Sequence, residues 1–333
     1  MRFTHEKRCS GMKIVVIGLG SMGKRRVRLI KELYPDYDVV GVDAREDRRI
    51  EADQQSGIQT FASMDDVPRC DCAFVCTQPL SHASIITTCL ERGWNTFTEL
   101  NLVNDGYDRN IALANKQGVV LFMSSTFLYR EETQYIRNTV AGTGGKWNYI
   151  YHIGQYLPDW HPWESYKDFF VGDKRTNGCR EILSVELPWL IATFGEINHV
   201  QAVSDKMTEL DIDYNDNFSI QVRHDNGNKG ILIVDVVSPC AVRNFEAYTE
   251  GQYLSWAGNP KSLFAFQPET KELKNIELTE KAEHREGYAA FVVENAYKNE
   301  IQAFFDAVEK GKEPPYDFSK DKAVLTLIKE IGA

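Results

Sequence analysis

The densest gathering of side chains able to move protons lies between Leu157 and Lys167, the run Leu-Pro-Asp-Trp-His-Pro-Trp-Glu-Ser-Tyr-Lys. His161 is the natural titrating group, because an imidazole changes charge near neutral pH. Lys167 becomes a base where burial lowers its pKa. Trp160, Trp163 and Tyr166 offer flat faces for a sugar ring or a nucleobase. Such a set suits the removal of a hydroxyl proton, which must accompany oxidation of an alcohol by hydride loss. The plainer reading is an ordered loop whose aromatics pack on a sheet and whose charges face water. Further on, Glu181 and Glu186 stand five residues apart and share one helix face poorly. Pro188 limits how far a regular helix extends upstream of it.

A second set of residues is built for an anion. The apolar run Ile14–Ile17 leads straight into Gly18, Gly20 and Gly23, with Ser21 and Met22 between them. A short apolar run bounded by glycine reads as a strand buried on both faces. Gly18 permits a tight turn, Gly20 lets backbone approach a pyrophosphate, and Gly23 lets the next helix pack close to the strand. The helix N-terminus adds free N–H groups and the positive end of a dipole. A second apolar run, Val39 to Val42, ends in Asp43, where a carboxylate binds the hydroxyls of an adenosine ribose. That carboxylate repels a 2′-phosphate, so the spacing predicts NAD, with NADP as the alternative if Arg45 or Arg25 reaches the ribose.

These groups need elements to hold them. Residues 12–125 alternate apolar strands with helical stretches, which predicts a parallel sheet wound on both faces. The helical stretches are Arg45 to Ser56, Ser81 to Arg92 and Asp105 to Gln117. Ligands bind such a sheet at the carboxyl ends of its strands. Those ends carry the glycine turn, Asp43, Thr77, Gln78, His82 and Glu99. For His82 the plain alternative is a helix-start residue hydrogen-bonded to a neighbouring loop. From residue 126 the texture changes. Arg130 to Val140 reads as a linking helix, and strand-like stretches then dominate from Trp147 to Phe266. Asp225-Asn226-Gly227-Asn228 is a strong hairpin signal. Consecutive hairpin-linked strands predict antiparallel pairing. Tyr288 to Glu309 and Asp321 to Ile331 read as closing helices.

The 333 residues suggest two domains, and a net charge of −10 argues against a nucleic-acid surface. No apolar run has the length to span a bilayer. Residues 1–11 read as a loose leader and the cytoplasm is the expected compartment. Seven cysteines, an odd number in a long chain, argue against a disulfide framework. Cys70, Cys72 and Cys76 invite a metal reading, but two of them sit in an apolar strand and no second cluster supports them. No metal is expected.

The arrangement resembles the family of glucose–fructose oxidoreductase, inositol dehydrogenase and rhizopine catabolism protein (Gfo/Idh/MocA). The resemblance rests on Gly18–Gly23, on Thr77-x-x-x-x-His82 and on Gly93-x-x-x-Phe97-x-Glu99. It continues with Phe127-x-x-Arg130, Asn177-Gly178-Cys179 and Tyr297-x-x-Glu300-x-x-x-Phe304. It implies an α/β N-terminal Rossmann domain (12–126) with a doubly wound parallel sheet. The second domain (127–333) would be α+β with a largely antiparallel open sheet. It also implies a nicotinamide cofactor, hydride transfer at a sugar or cyclitol carbon, and homodimers or homotetramers built on the open sheet. The family's Glu-Lys-Pro appears here as Glu99-Leu100-Asn101, and leucine cannot handle a proton. The family's Asp and His, four apart on a helix, find their nearest match in Glu181 and Val185. By position, Glu181 is preferred over Glu186. The expected catalytic group is therefore His161, Lys167 and Glu181. The cofactor set is Gly18, Gly20, Ser21, Met22, Gly23, Asp43, Arg45, Thr77, Gln78, His82 and Glu99. Two further readings stay open. One is a redox-inactive member that binds a dinucleotide or sugar as a sensor or partner subunit. The other is an enzyme using tightly bound NAD in a net non-redox reaction.

Overall fold

A computed structural model of the chain describes residues 11–161, 164–278 and 293–333. It forms two compact units. One comprises residues up to Glu99, with Asp105–Ser124 and Ile301–Pro314; the other comprises Leu100–Asn104, Ser125–Glu300 and Pro315–Ala333. Most of the leader, Trp163 and the start of the closing helix at Tyr288 fall outside the described residues.

The first unit begins with β1 (Lys13–Ile17), α1 (Ser21–Leu33), β2 (Asp38–Val42), α2 (Glu46–Ser56) and β3 (Thr60–Phe61). It continues with β4 (Cys72–Val75), α3 (His82–Glu91), β5 (Asn95–Thr98), α4 (Tyr107–Gln117) and β6 (Leu121–Met123). The sheet order is β3-β2-β1-β4-β5-β6 and every pair is parallel. The order reverses between β1 and β4, the position where such sheets take ligands. Ile14, Val15, Val16 and Ile17 are buried, which is why the run carries no polar alternation. Phe74, Phe97 and Phe122 stack across three neighbouring strands, with centroids 4.7 and 5.3 Å apart. Phe304 meets all three edge-on. The helices are a little shorter than the sequence predicts, because Arg45 and Ser81 are caps and Gly106 precedes α4 in a left-handed turn.

The second unit holds α5 (Glu131–Gly142), β7 (Asn148–Gly154), α6 (Gly178–Phe194), β8 (Ile197–Asp205), β9 (Asn217–His224) and β10 (Lys229–Asp235). There follow β11 (Val242–Thr249), β12 (Gln252–Trp256), β13 (Leu263–Gln267), β14 (Glu272–Asn275), α7 (Glu294–Lys310) and α8 (Phe318–Ile331). The first turns of α7, up to Glu300, belong here. The eight-stranded sheet runs β14-β13-β12-β11-β7-β10-β9-β8. The sheet is largely antiparallel, as expected, with one parallel pair: β7 lies parallel to β10 and antiparallel to β11. The chain leaves β7 for α6 and two strands before it returns, so a crossover replaces a hairpin there. Phe218, Ile220, Val222 and His224 alternate inward along β9. That alternation marks a sheet with one covered face and one open face. Pro188 does not limit α6 upstream: the helix starts at Gly178, ten residues before the proline, and ends at Phe194. Burial along most of its length outweighs the one backbone hydrogen bond that proline removes. β14 was not expected, since Glu-Leu-Lys-Asn shows no apolar pattern. Its charges suit an edge strand.

Candidate active site

In the first unit, Gly18 ends β1 with φ +92° and donates its N–H to Val42 O at 2.8 Å. A Cβ on Gly23 would lie 1.8 Å from Gly18 O, so only glycine lets α1 start here. A Cβ on Gly20 would meet nothing nearer than the Arg48 guanidinium at 3.5 Å, so the space beside its backbone is open. Gly20, Ser21, Met22 and Gly23 form the first turn of α1, which carries no acidic residue and no side-chain cap. Its N–H groups are thus left for an anion. Asp43 is 8% exposed at the end of β2. Its carboxylate accepts from Leu19 N at 2.8 Å and from Arg45 N at 2.9 Å. These residues fit a dinucleotide: an open glycine turn for the pyrophosphate and a fixed carboxylate for the ribose.

The arginine beside that carboxylate is not the expected one. The Arg45 side chain turns outward to Asp47, while Arg48 stands 3.6 Å from Asp43. Arg48 lies one helical turn further on, a placement that becomes visible only once α2 starts at Glu46. Arg25 turns to the Met22 sulfur.

Thr77, Gln78 and His82 follow β4. Ser81 Oγ donates to Gln78 O at 2.7 Å and stands 2.8 Å from Thr77 Oγ1. His82 is 2% exposed, and its Nε2 stands 2.9 Å from Thr77 O. The imidazole therefore knits the turn after β4 to the start of α3. Glu99, after β5, takes Arg26 Nε at 2.6 Å and a terminal nitrogen of Arg26 at 3.2 Å. Arg26 is fully buried over Phe97. Glu99 is thus the partner of a buried cation, which would otherwise be very costly.

The second unit contains a cavity of about 210 Å³. Trp160, Glu181, Ile182, Val185 and Arg243 line it, with Gln155 and the end of β7. Asn177 caps α6 by accepting from Arg180 N at 2.8 Å, which places Glu181 one turn in. Trp160 is fixed by donating from Nε1 to Gln155 O at 3.0 Å. The Glu181 Oε2 is buried and has no hydrogen-bond partner among the described residues. Burial pushes its carboxyl up to about 7, and the nearby Arg243 cation holds it from going higher. A carboxyl poised near neutrality inside a cavity has the protonation equilibrium of a general acid or base.

The other two expected catalytic residues lie elsewhere. His161 is outside the cavity lining, with Nδ1 2.7 Å from Glu164 and its ring stacked on Phe169. Lys167 pairs with the exposed Asp211. That pairing raises the ammonium pKa, the opposite of what a lysine base requires. The cluster read along the sequence is therefore divided in space: Trp160 and Glu181 meet at the cavity, and His161 and Lys167 do not line it. Sequence reading missed Arg243, whose partner Glu186 lies 57 residues away. The available signal was a charged Glu186 flanked by Val185 and Leu187 in the apolar middle of α6, where a carboxylate demands a buried partner.

Among the described residues no three His, Cys, Asp or Glu side chains gather where they could hold a metal ion. No described helix is long and apolar enough to cross a membrane.

The parallel sheet, its glycine turn and the strand-end carboxylate define a dinucleotide-binding Rossmann protein with an open-sheet second unit. Residues 12–125 match the model of the Gfo/Idh/MocA oxidoreductase family, described as an NAD-binding Rossmann fold. Its cofactor is accordingly a nicotinamide dinucleotide. No curated protein sequence matches the chain. Among solved structures it is similar to the UDP-N-acetylglucosamine 3-dehydrogenase GnnA from Acidithiobacillus ferrooxidans, at 17% identity and TM-score 0.76 over 97% of each chain. It is also similar to a myo-inositol dehydrogenase from Corynebacterium glutamicum, at 15% identity and TM-score 0.74 over 96% of this chain and 95% of that one. A third is the WlbA dehydrogenase from Bordetella pertussis, crystallised with NADH and UDP-GlcNAcA, at 14% identity and TM-score 0.76 over 97% and 95%. At such identities the likeness shows the fold.

Proposed function

We propose that this protein is an NAD-preferring oxidoreductase that moves a hydride to or from a sugar, cyclitol or nucleotide-sugar, with Glu181 as its proton-transfer group. The observation that carries this reading is the Glu181 carboxyl, whose buried Oε2 has no hydrogen-bond partner among the described residues, held near neutrality in a cavity that Trp160 also lines. When bound, the nicotinamide supplies the hydride acceptor. In the oxidative direction the hydroxyl proton passes to Glu181, the C–H pair departs as hydride, and a carbonyl remains. Trp160 offers the apolar face of a sugar ring a stacking surface. The carbohydrate class is supported by relatives named for UDP-N-acetylglucosamine and myo-inositol. The open sheet face, with Ile150, Ile231 and Tyr248 each more than two-fifths exposed, suits a homodimer or homotetramer.

A second reading, binding without turnover, is favoured by Val185, which lines the cavity with an apolar side chain. The deciding experiment adds NAD and a panel of sugars, cyclitols and nucleotide-sugars to the purified protein. Growth of the reduced-nicotinamide absorbance with one compound, lost in Glu181→Gln, supports the enzyme. A flat trace with saturable NAD and sugar binding supports the second reading.

A further inference from the structure

Arg243 lines the same cavity as Glu181, yet its guanidinium is committed to another carboxylate. Its Nε and one terminal nitrogen reach Glu186 Oε1 at 2.9 and 2.8 Å. Glu186 has no exposed surface. Its other oxygen accepts from Tyr151 OH at 2.8 Å and from Trp189 Nε1 at 2.7 Å. The guanidinium carbon also lies 4.9 Å from the centre of the Phe127 ring. Glu186 and the Phe127 ring thus hold this cation, and Tyr151 and Trp189 fix Glu186 behind it.

We propose that Arg243 is a positioning residue for proton transfer: Glu186, Tyr151 and Trp189 fix its cation in the cavity wall, and that cation sets the charge state of the Glu181 carboxyl. This rests on the reading of Glu181 as the proton-transfer group. Glu186 has two effects. It holds the guanidinium in place, and its own negative charge tempers the field that Glu181 feels. The remaining charged groups near this wall have other partners. Asp235, pressed behind Gly154, takes His152 Nε2 and the amides of Val237 and Ser238. Arg180, on the helix of Glu181, reaches the carbonyls of Leu102 and Ala333. The lowering influence of Arg243 on Glu181 agrees with this assignment.

The two halves of the buried pair should act on Glu181 in opposite directions, which a merely structural pair would not do. The test is a carboxyl NMR titration of full-length protein labelled in its glutamate side chains, with Glu181→Gln marking the resonance. Arg243→Gln should raise the Glu181 midpoint by about one pH unit or more, and Glu186→Gln, which keeps the shape, should lower it. Arg243→Lys, which keeps the charge, should stay nearer the wild-type value than Arg243→Gln does. If Arg243→Gln does not fold, the Glu186→Gln and Arg243→Lys titrations decide. Shifts of the same sign in Arg243→Gln and Glu186→Gln, or a midpoint unmoved by Glu186→Gln, overturn the role of Arg243. Unchanged turnover in Glu181→Gln instead overturns the reading of Glu181, whatever the titration shows.

Discussion

The carbonyl oxygen of Gly18 lies 1.8 Å from the point that a Cβ on residue 23 would occupy. Gly23→Ala must therefore push α1 away from β1. We expect a loss of several kcal/mol, about 3 or more, in urea unfolding, with NAD binding lost as well. Gly20→Ala meets only the movable end of Arg48. It should leave the unfolding midpoint in place while weakening NAD about tenfold or more, because the methyl occupies the pyrophosphate's approach. Calorimetric titration beside a melt separates the two glycines.

Asp43 supports the Leu19 amide, and the ribose contact proposed for it would be a second role. Asp43→Ala should weaken NAD about tenfold and NADP less, because the repulsion of a 2′-phosphate disappears with the carboxylate. Parallel titrations with both cofactors test this. Equal weakening would mean that Asp43 acts on the turn alone.

Glu181 gives a pH dependence with a definite sign. As a base it works ionised, so kcat/KM for oxidation should rise as pH passes through about 7. Glu181→Gln should cost about 10²- to 10⁴-fold in kcat. Stability runs the other way. The folded carboxyl titrates above its ordinary value of 4.5. Its contribution is therefore complete below that value and is lost as pH rises through about 7. Glu181→Gln should thus stabilise the protein relative to wild type in mildly alkaline buffer, by about 2 kcal/mol, with the advantage shrinking in acid. Urea unfolding at the two pH extremes measures it.

His161 and Lys167 each pair with a neighbouring carboxylate, and neither lines the cavity. His161→Ala and Lys167→Ala should keep kcat within about threefold of wild type, as substitutions of solvent-facing ion pairs do. Loss of a hundredfold or more in either variant would return that residue to the chemistry.

The parts legible in the sequence are those written locally. Ile14–Ile17, the three glycines and Asp43 each carry their structural reason within a few residues. The strand and helix alternation of the first unit follows from the same short patterns. Glu181 was singled out by position on its helix and Trp160 by type, and both line the cavity. What escaped depends on pairings far apart in the chain. The parallel match of Tyr151 with Leu232 has no local mark. Nor does the contact of Arg243 with Glu186. Lys167 looked reactive because a sequence shows the amine and conceals Asp211, which makes it a weaker base candidate. Pro188 misled because its cost is local, while the burial that offsets it comes from the whole of α6.

Phe304 and Phe305 lie some two hundred and thirty residues beyond Phe74 in the chain, yet they complete the core of the first sheet. Phe304 closes over Phe74, Phe97 and Phe122, and Phe305 packs against Tyr34 and Tyr37. During translation the nucleotide-binding sheet must therefore wait, its aromatic rings uncovered, until Phe304 and Phe305 have left the ribosome. A fragment ending at residue 126 would stay permanently in that state, and its exposed rings would favour aggregation.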